Sequence, residues 1–275
     1  MTSTPDLPSS LILVGAGKMG AAMLQGWLSA GLDPAGVAVI EPSPSPELTA
    51  LAASSGFRLN PEPAGTQPPE ILVLGIKPQM LDQVGPGLAP FLGRDTLVVS
   101  ILAGKTVAGI AAAMPGSGAV VRAMPNLPAS IGRGATGAYA SPETSARQRA
   151  MAAALLAANG VVEWVASEDL IDAVTAVSGS GPAYVFHLVE CLAEAGVAAG
   201  LEAEVAQRLA QATIEGAGEL LRTSGLDPAT LRRNVTSPGG TTAAALDVLM
   251  AEDGLGPLMR RAVEAAKRRA AELAV

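Results

Sequence analysis

An apolar run followed at once by a glycine-rich turn constrains the fold of this chain more than any other feature. Leu11–Val14 predicts a buried β-strand, and the next six residues are Gly15, Ala16, Gly17, Lys18, Met19 and Gly20. A strand, a turn with this glycine spacing and then a helix form the start of a unit that binds dinucleotides. Backbone N–H groups reach the pyrophosphate there, and the helix dipole favours an anion. The turn therefore predicts a dinucleotide-binding fold.

An acidic residue, Glu41, ends the second predicted strand, roughly 20 residues after the last glycine of the turn. A carboxylate at this place accepts a hydrogen bond from a ribose 2′-hydroxyl and repels a 2′-phosphate. Ser43 follows with a hydroxyl that can donate to a phosphate, but no arginine or lysine occurs between Lys18 and Arg58 to neutralise one. These residues favour NADH, and NADPH stays open as the alternative.

Short apolar runs alternate with helical patterns through the first part of the chain. They lie at residues 11–14, 37–40, 71–74, 97–100 and 119–121, with weaker runs at 136–140 and 161–165. Runs that are apolar on both faces suit a parallel sheet covered by helices, whereas after Ser167 only helical patterns remain. We therefore predict an α/β chain, with a Rossmann-type doubly wound sheet over residues 1–166 and an all-helical domain over residues 167–275.

Composition excludes several other classes of protein. A net charge of −7 and a pI near 4.8 argue against a nucleic-acid partner. One cysteine and one histidine, Cys191 and His187, exclude a Cys/His zinc cluster and an intrachain disulfide. The start has no basic segment typical of a secretory signal, and no stretch suits a membrane span, so we expect a cytoplasmic chain. We expect Cys191 to be buried and His187 to pack at a helix contact.

The helical domain is small for an independent core and carries small side chains at many apolar positions. Bundles of this size often complete their core by packing on a partner. We therefore expect a homodimer with the helical domains as its interface.

Three further segments follow predicted strands at the edge where open α/β sheets bind their ligands. They are Gly75-Ile76-Lys77-Pro78, Leu102-Ala103-Gly104, and Asn126. We expect all three to line the cofactor cleft. Lys77 either bonds the ribose or lies at the surface. The Asn126 amide binds the cofactor, at a ribose hydroxyl or at the nicotinamide carboxamide, or else Asn126 is an ordinary turn residue.

Two loops rich in hydroxyls and glycine, residues 178–184 and 236–242, precede helices in the second domain. A helix N-terminus leaves N–H groups without partners, and these groups bind small anions. Either loop alone is more typical of an ordinary Ser/Thr-capped helix. The presence of both behind a dinucleotide domain favours a substrate anion.

Together these segments resemble the Δ1-pyrroline-5-carboxylate reductase family, and the resemblance spans essentially the whole chain. Its motifs are residues 15–20, 76–78, 122–126, 168–175 leading into 178–184, and 234–242, of which the last two are highly specific. The resemblance implies NAD(P)H-dependent reduction of L-1-pyrroline-5-carboxylate to L-proline, the last step of proline biosynthesis. It also implies a domain-swapped homodimer, which in many members builds a larger ring such as a decamer.

Carried over residue by residue, the resemblance assigns cofactor contacts to Gly15, Ala16, Gly17, Lys18, Met19, Gly75, Ile76, Lys77, Pro78, Leu102, Ala103, Gly104, Asn126 and Asn234. It assigns the substrate carboxylate to Ser237, Gly239, Gly240 and Thr241, and it places Glu168 beside the substrate. It gives Thr242 a hydrogen bond to the ring nitrogen, the catalytic contact. Glu41 departs from the family pattern, because many members that use NADPH carry a small polar residue there.

The expected chemistry needs neither a nucleophile nor a metal, because a cyclic imine accepts a hydride once it is positioned and protonated. The hydroxyl of Thr242 is a weak acid. We therefore expect Thr242 to orient the nitrogen, while the proton comes from solvent or from the protonated imine.

Two alternatives remain. A β-hydroxyacid dehydrogenase or imine reductase shares the domain order, but the hydroxyacid enzymes use a lysine on a helix of the second domain. The lysines here are Lys18, Lys77, Lys105 and Lys267, and none lies on the long helix predicted after Pro182. A nucleotide-binding sensor without turnover would leave both hydroxyl-rich loops without a role.

Overall fold

The computed structural model describes residues 7–273, which divide into two compact units. Among the described residues, the first unit comprises residues 7–180 and 266–273, and the second unit is Gly181–Ala265. This border lies beyond the predicted one at residues 166 and 167. The difference has a local cause, since the segment that precedes Ser180 packs on strands of the first unit.

One eight-stranded sheet organises the first unit. Its strands are β1 Leu11–Val14, β2 Val37–Ile40, β3 Arg58–Leu59, β4 Ile71–Leu74, β5 Leu97–Ser100, β6 Val120–Met124, β7 Gly134–Ala140 and β8 Gly160–Trp164. The order across the sheet is β3-β2-β1-β4-β5-β6-β7-β8, and every neighbouring pair is parallel except β6 with β7. The predicted α/β class with a doubly wound sheet is therefore confirmed.

Apolar residues on both faces of the central strands explain the parallel arrangement. Leu11 and Leu13 of β1 belong to one buried cluster, whereas Ile12 and Val14 belong to a second cluster on the opposite face. Successive side chains of a strand point to opposite faces, so a run that is buried throughout needs helices on both sides. The sheet thus separates two apolar layers.

Helices cover these layers. They are α1 Lys18–Ser29, α2 Pro46–Ser55, α3 Leu81–Leu88, α4 Val107–Ala113, α5 Ala146–Ala157 and α6 Leu170–Val174. Ser45, Thr106 and Ser145 cap α2, α4 and α5 through side-chain oxygens that accept backbone N–H groups. No side chain caps α1. The helix of the glycine turn therefore begins without the cap that three others have.

The second unit is all helical: α7 Gly181–Ala198, α8 Ala203–Thr223, α9 Pro228–Asn234, α10 Thr241–Leu249, and the start of α11 Leu255–Leu273, which continues into the first unit. No residue of α7 is buried in the single chain, and Phe186, Leu188 and Leu192 are exposed on it. These residues give α7 an exposed apolar surface in the single chain. Among residues 7–273 no helix is long and apolar enough to cross a bilayer.

The prediction of a buried Cys191 is wrong, because its side chain is exposed on α7. His187 is exposed as well, and its Nδ1 lies 2.9 Å from Oε2 of Glu190. The apolar neighbours that suggested a buried thiol lie on a helix that the single chain leaves uncovered.

Candidate functional site

The three glycines of the first turn have three different structural roles. Gly15 has a φ of +88°, and a Cβ there would lie 2.7 Å from the backbone nitrogen of Ile76. A Cβ on Gly20 would collide with the carbonyl oxygen of Gly15. These two glycines are required by the turn itself and by the close packing of α1 on the strand.

Gly17 differs, because a Cβ added there would meet no atom within 4 Å. Its φ of −65° is open to any residue, so neither packing nor backbone strain explains a glycine here. Gly17 stands at the N-cap position of the twelve-residue helix α1, whose first N–H groups receive no side-chain cap. Lys18 and Met19 are the first two helical residues. An uncapped helix end with open space at Gly17 fits a dinucleotide pyrophosphate.

Glu41 lies against the same turn. Its Oε2 accepts a hydrogen bond from the backbone N–H of Ala16 at 3.0 Å, and its Oε1 accepts one from Ser43 at 3.2 Å. The carboxylate is therefore fixed beside the glycine turn, where the adenosine ribose of a dinucleotide lies in this fold.

Asn60 holds Glu41 in place, a contact that the sequence analysis missed. The Glu41 N–H donates to Oδ1 of Asn60 at 2.8 Å, and Nδ2 of Asn60 donates to the Glu41 carbonyl at 2.9 Å. Asn60 has a φ of +50°, the only positive φ among the described non-glycine residues. Asparagine tolerates this conformation better than most residues, and that preference was the sequence signal for the turn in which Asn60 contacts Glu41.

The register of the strands brings the predicted cofactor segments to one edge. Val14 pairs with Ile40 and with Leu74, and Leu74 pairs with Ser100, so these strands end level with one another. The Gly75 N–H donates to the Val14 carbonyl at 2.7 Å. The turns after β1, β2, β4 and β5 therefore lie side by side at the carboxyl edge.

Within those turns, the exposure of the side chains differs. Lys77 is exposed and precedes the short 3-10 turn Pro78–Met80, whereas Gly75, Ile76 and Pro78 are half-buried. Leu102 is buried, Ala103 is exposed, and Gly104 has a φ of +74° that suits glycine. Backbone groups and small residues therefore dominate this edge.

Asn126, two residues after the end of β6, is buried, and its amide forms hydrogen bonds within the protein. Oδ1 accepts from the Ala135 N–H at 2.9 Å, and Nδ2 donates to the Ser178 carbonyl at 3.1 Å. The hydroxyl of Ser178 donates in turn to the Ala135 carbonyl at 3.0 Å. Asn126 thus links β6, β7 and the π-helical turn Thr175–Gly179.

Replacing Asn126 with alanine is expected to lower the free energy of unfolding by about 1–2 kcal/mol, because two part-buried backbone groups lose their partner. Urea unfolding measures this change. Ser130→Ala is the control, since that hydroxyl bonds only the local Leu127 carbonyl at an exposed site. A stable Asn126→Ala variant with weakened cofactor binding would instead favour direct contact of the amide with the cofactor.

Glu168 is paired within the first unit. Its Oε1 accepts from Nη1 of Arg122 at 2.8 Å and from the Val107 N–H at 2.7 Å. The Arg122 side chain is 6% exposed and that of Glu168 is 29% exposed. Glu168 was predicted to lie beside the substrate, and its ion pair was not predicted. An arginine inside an apolar strand was the signal for that pair.

The first of the two hydroxyl-rich loops is less open than expected. The Ser178 hydroxyl donates a hydrogen bond to the Ala135 carbonyl, and the Ser180 N–H donates to the Thr175 carbonyl at 2.8 Å in a π-helical turn. The expectation of a free helix N-terminus at this loop is therefore wrong, because helical structure runs from Leu170 through the π-helical turn into α7. A helical run already precedes this loop, so its N–H groups have carbonyl partners one turn back.

The second loop keeps its free helix end. Gly240 is the N-cap residue of α10 and no side chain caps that helix. Gly239 has a φ of +69°, and the Gly240 N–H donates to the Ser237 carbonyl at 3.0 Å, which forms the tight turn before the helix. Thr241 and Thr242 are its first two residues, and Asn234 ends α9 shortly before. The N-terminus of α10 can therefore accept a small anion.

Comparisons with known proteins agree along the whole chain. Residues 168–273 match the model of the pyrroline-5-carboxylate reductase dimerisation domain, and residues 10–104 match that of NADP oxidoreductase, coenzyme F420-dependent. A pyrroline-5-carboxylate reductase of Pseudomonas aeruginosa is 39% identical over 99% of this chain and 98% of its own. One of Synechocystis is 46% identical over 74% of this chain and 75% of its own.

Solved structures give the same result. A pyrroline-5-carboxylate reductase from Coxiella burnetii is 34% identical with a TM-score of 0.89, and 97% of this chain and 99% of that chain are covered. A Plasmodium falciparum pyrroline carboxylate reductase with NADP bound is 25% identical with a TM-score of 0.79, covering 99% of this chain and 100% of that one. The chain belongs to the pyrroline-5-carboxylate reductase family.

Proposed function

We propose that this protein reduces L-1-pyrroline-5-carboxylate to L-proline with NADPH or NADH. The observation that carries the proposal is the similarity to such a reductase over 99% of the chain, with a cofactor turn and an uncapped α10 both present. The reduced nicotinamide supplies a hydride to the imine carbon, and a proton adds to the nitrogen. No metal takes part in this proposal, since the electrophile is already present in the imine.

Separate groups of residues bind the cofactor and the substrate in this proposal. The uncapped N-terminus of α1 binds the pyrophosphate, and Gly17 leaves the space that its oxygens need. The N–H groups at the start of α10, with Ser237, Gly239 and Gly240 in the turn before it, bind the substrate carboxylate. The hydroxyl of Thr242 holds the ring nitrogen by a hydrogen bond. Positioning of this kind supplies most of the rate enhancement when the reactants are intrinsically reactive.

A direct test mixes the purified protein with NADH or NADPH and L-1-pyrroline-5-carboxylate, and measures both cofactor oxidation and proline. The proposal predicts one proline per cofactor consumed. Cofactor binding without proline formation would support the nucleotide-binding sensor instead.

Glu41 makes NADH the preferred cofactor in this proposal. Its carboxylate lies against the glycine turn, where it suits a ribose hydroxyl and repels a 2′-phosphate. Exchange for a small neutral residue removes that repulsion. We therefore expect Glu41→Ser to raise kcat/KM for NADPH about tenfold, because the repulsion between two like charges that it removes is worth about 1.4 kcal/mol. The same change is expected to lower kcat/KM for NADH, because the ribose hydroxyl loses its acceptor.

Steady-state kinetics with both cofactors measure this change. Glu62→Ser removes an exposed carboxylate from the nearby loop and is expected to alter neither value. An unchanged ratio of the two efficiencies in Glu41→Ser would refute the role of Glu41 in cofactor choice.

The second unit supports a homodimer. Its exposed apolar residues and the match of residues 168–273 to a dimerisation domain are the grounds for this part of the proposal. A larger ring such as a decamer is proposed by the family resemblance alone, and light scattering in solution determines the copy number. A cytoplasmic location is proposed from the single cysteine, which suits a reducing compartment.

A further inference from the structure

Arg122 is a charged residue in the interior of the sheet. Val120 and Val121, its neighbours on β6, are fully buried, and Arg122 pairs with Ser100 of β5 on one side and Tyr139 of β7 on the other. A guanidinium remains charged at all accessible pH values, so burial requires a partner of opposite charge. Glu168 supplies it at 2.8 Å.

The same carboxylate oxygen reaches a helix end. Oε1 of Glu168 accepts from the N–H of Val107, the first residue of α4, at 2.7 Å. The N-cap Thr106 already serves a different N–H, that of Gly109. A negative group at this position also interacts favourably with the helix dipole. Glu168 and Thr106 therefore stabilise the start of α4 by accepting hydrogen bonds from two different N–H groups of the helix.

The turn that precedes α4 is Leu102-Ala103-Gly104, which lies at the carboxyl edge of the sheet. Only Lys105 and Thr106 separate it from the Val107 amide. We propose that Arg122 and Glu168 form a positioning pair that sets this turn against the bound cofactor by fixing the start of α4. The inference rests on the proposed function for the identity of the ligand, a reduced nicotinamide dinucleotide.

The pair acts through the backbone, not by contact with the reacting atoms. Side chains alternate along β6, so Arg122 shares the sheet face of Val120, which packs in one cluster with Ile110 of α4. Arg122 thus lies beneath the helix whose start it helps to fix. Loss of the pair frees the Val107 amide and the turn before it, and the ordering of that turn must then occur on binding.

Two measurements without substrate test the proposal. Equilibrium titration with NADH, followed by nicotinamide fluorescence, gives the cofactor Kd, and amide hydrogen exchange reports the Val107 N–H. We expect Glu168→Ala to raise the Kd about tenfold and to speed exchange at Val107 by at least that factor. Glu168→Gln keeps an acceptor oxygen, so a smaller rise, about threefold, is expected.

Arg122 variants separate positioning from the other possible roles of Glu168. Arg122→Met is expected to raise the Kd for NADH, as Glu168→Ala does. Arg122→Lys keeps the charge and is expected to retain most of the wild-type affinity. Glu163→Gln, which removes an exposed carboxylate on β8, is the control and leaves both readouts unchanged.

Three results would overturn the inference. A lower melting temperature with an unchanged Kd in both Glu168 variants would mean that the pair is only structural. A raised KM for the imine in the Glu168 variants alone, with normal cofactor affinity, would mean direct substrate contact. Unaltered exchange at Val107 in Glu168→Ala would remove the proposed link. The first and third results remain readable if the wild-type protein turns over a different imine, since melting temperature, cofactor Kd and amide exchange are all measured without substrate.

Discussion

Gly17→Val is expected to raise the Kd for NADH or NADPH about 100-fold while the protein keeps its fold. The chain has open space around Gly17, since a Cβ added there meets no protein atom within 4 Å. In the proposed site the pyrophosphate approaches the N-terminus of α1 through that space, and a displacement of about 1 Å in a bound group costs about 100-fold. Fluorescence titration with each cofactor measures the Kd, and circular dichroism checks the fold.

The matched control is Gly118→Val, because Gly118 also has open space and lies outside the cofactor turns. It is expected to bind both cofactors normally. Equal affinity of the Gly17 and Gly118 variants would show that the space at Gly17 is not used by the cofactor. A Gly17→Val variant that fails to fold would contradict the open environment that the structure gives this residue.

Thr242→Ala is expected to lower kcat about 100-fold and to leave the cofactor Kd within twofold of the wild-type value. The hydroxyl sits in the first turn of α10, where it is proposed to hold the ring nitrogen while the helix end binds the carboxylate. Removing it costs orientation of the imine, which in the proposed mechanism is the main contribution of this site. Steady-state kinetics at saturating cofactor measure the turnover.

Thr213→Ala is the control, since that hydroxyl bonds the Leu209 carbonyl within α8 and has no proposed part in the reaction. Thr242→Ser keeps a hydroxyl and is expected to recover most of the turnover. Equal losses of turnover and cofactor affinity in Thr242→Ala would count against the assigned role, as would a failure of the serine variant to improve on alanine.

Features that follow from local periodicity could be predicted from the sequence. Residues 11–14 and 71–74 are apolar without interruption, a pattern typical of a short strand that is covered on both faces. The structure places them as the parallel neighbours β1 and β4. The glycine spacing predicted the strand-turn-helix unit, and the position of Glu41 after β2 predicted a carboxylate near that turn. The hydrogen bond from Ala16 to Glu41 brings the two together.

Features that depend on contacts between distant segments could not be predicted. Arg122 and Glu168 are 46 positions apart, and only the packing of α4 and α6 against β6 brings them together. The hydrogen bonds of Asn126 to Ala135 and Ser178 have the same origin. Likewise, the exposure of Cys191 depends on whether a second chain covers α7, and an apolar pattern does not distinguish a core from an uncovered interface.

The most direct test of the account is a crystal structure of the protein with oxidised cofactor and L-proline. We expect the pyrophosphate at the N-terminus of α1 beside Gly17, and the proline carboxylate at the N-terminus of α10 with the ring nitrogen on the Thr242 hydroxyl. Proline bound away from Thr242 and the turn before α10, with the cofactor in place, would contradict it.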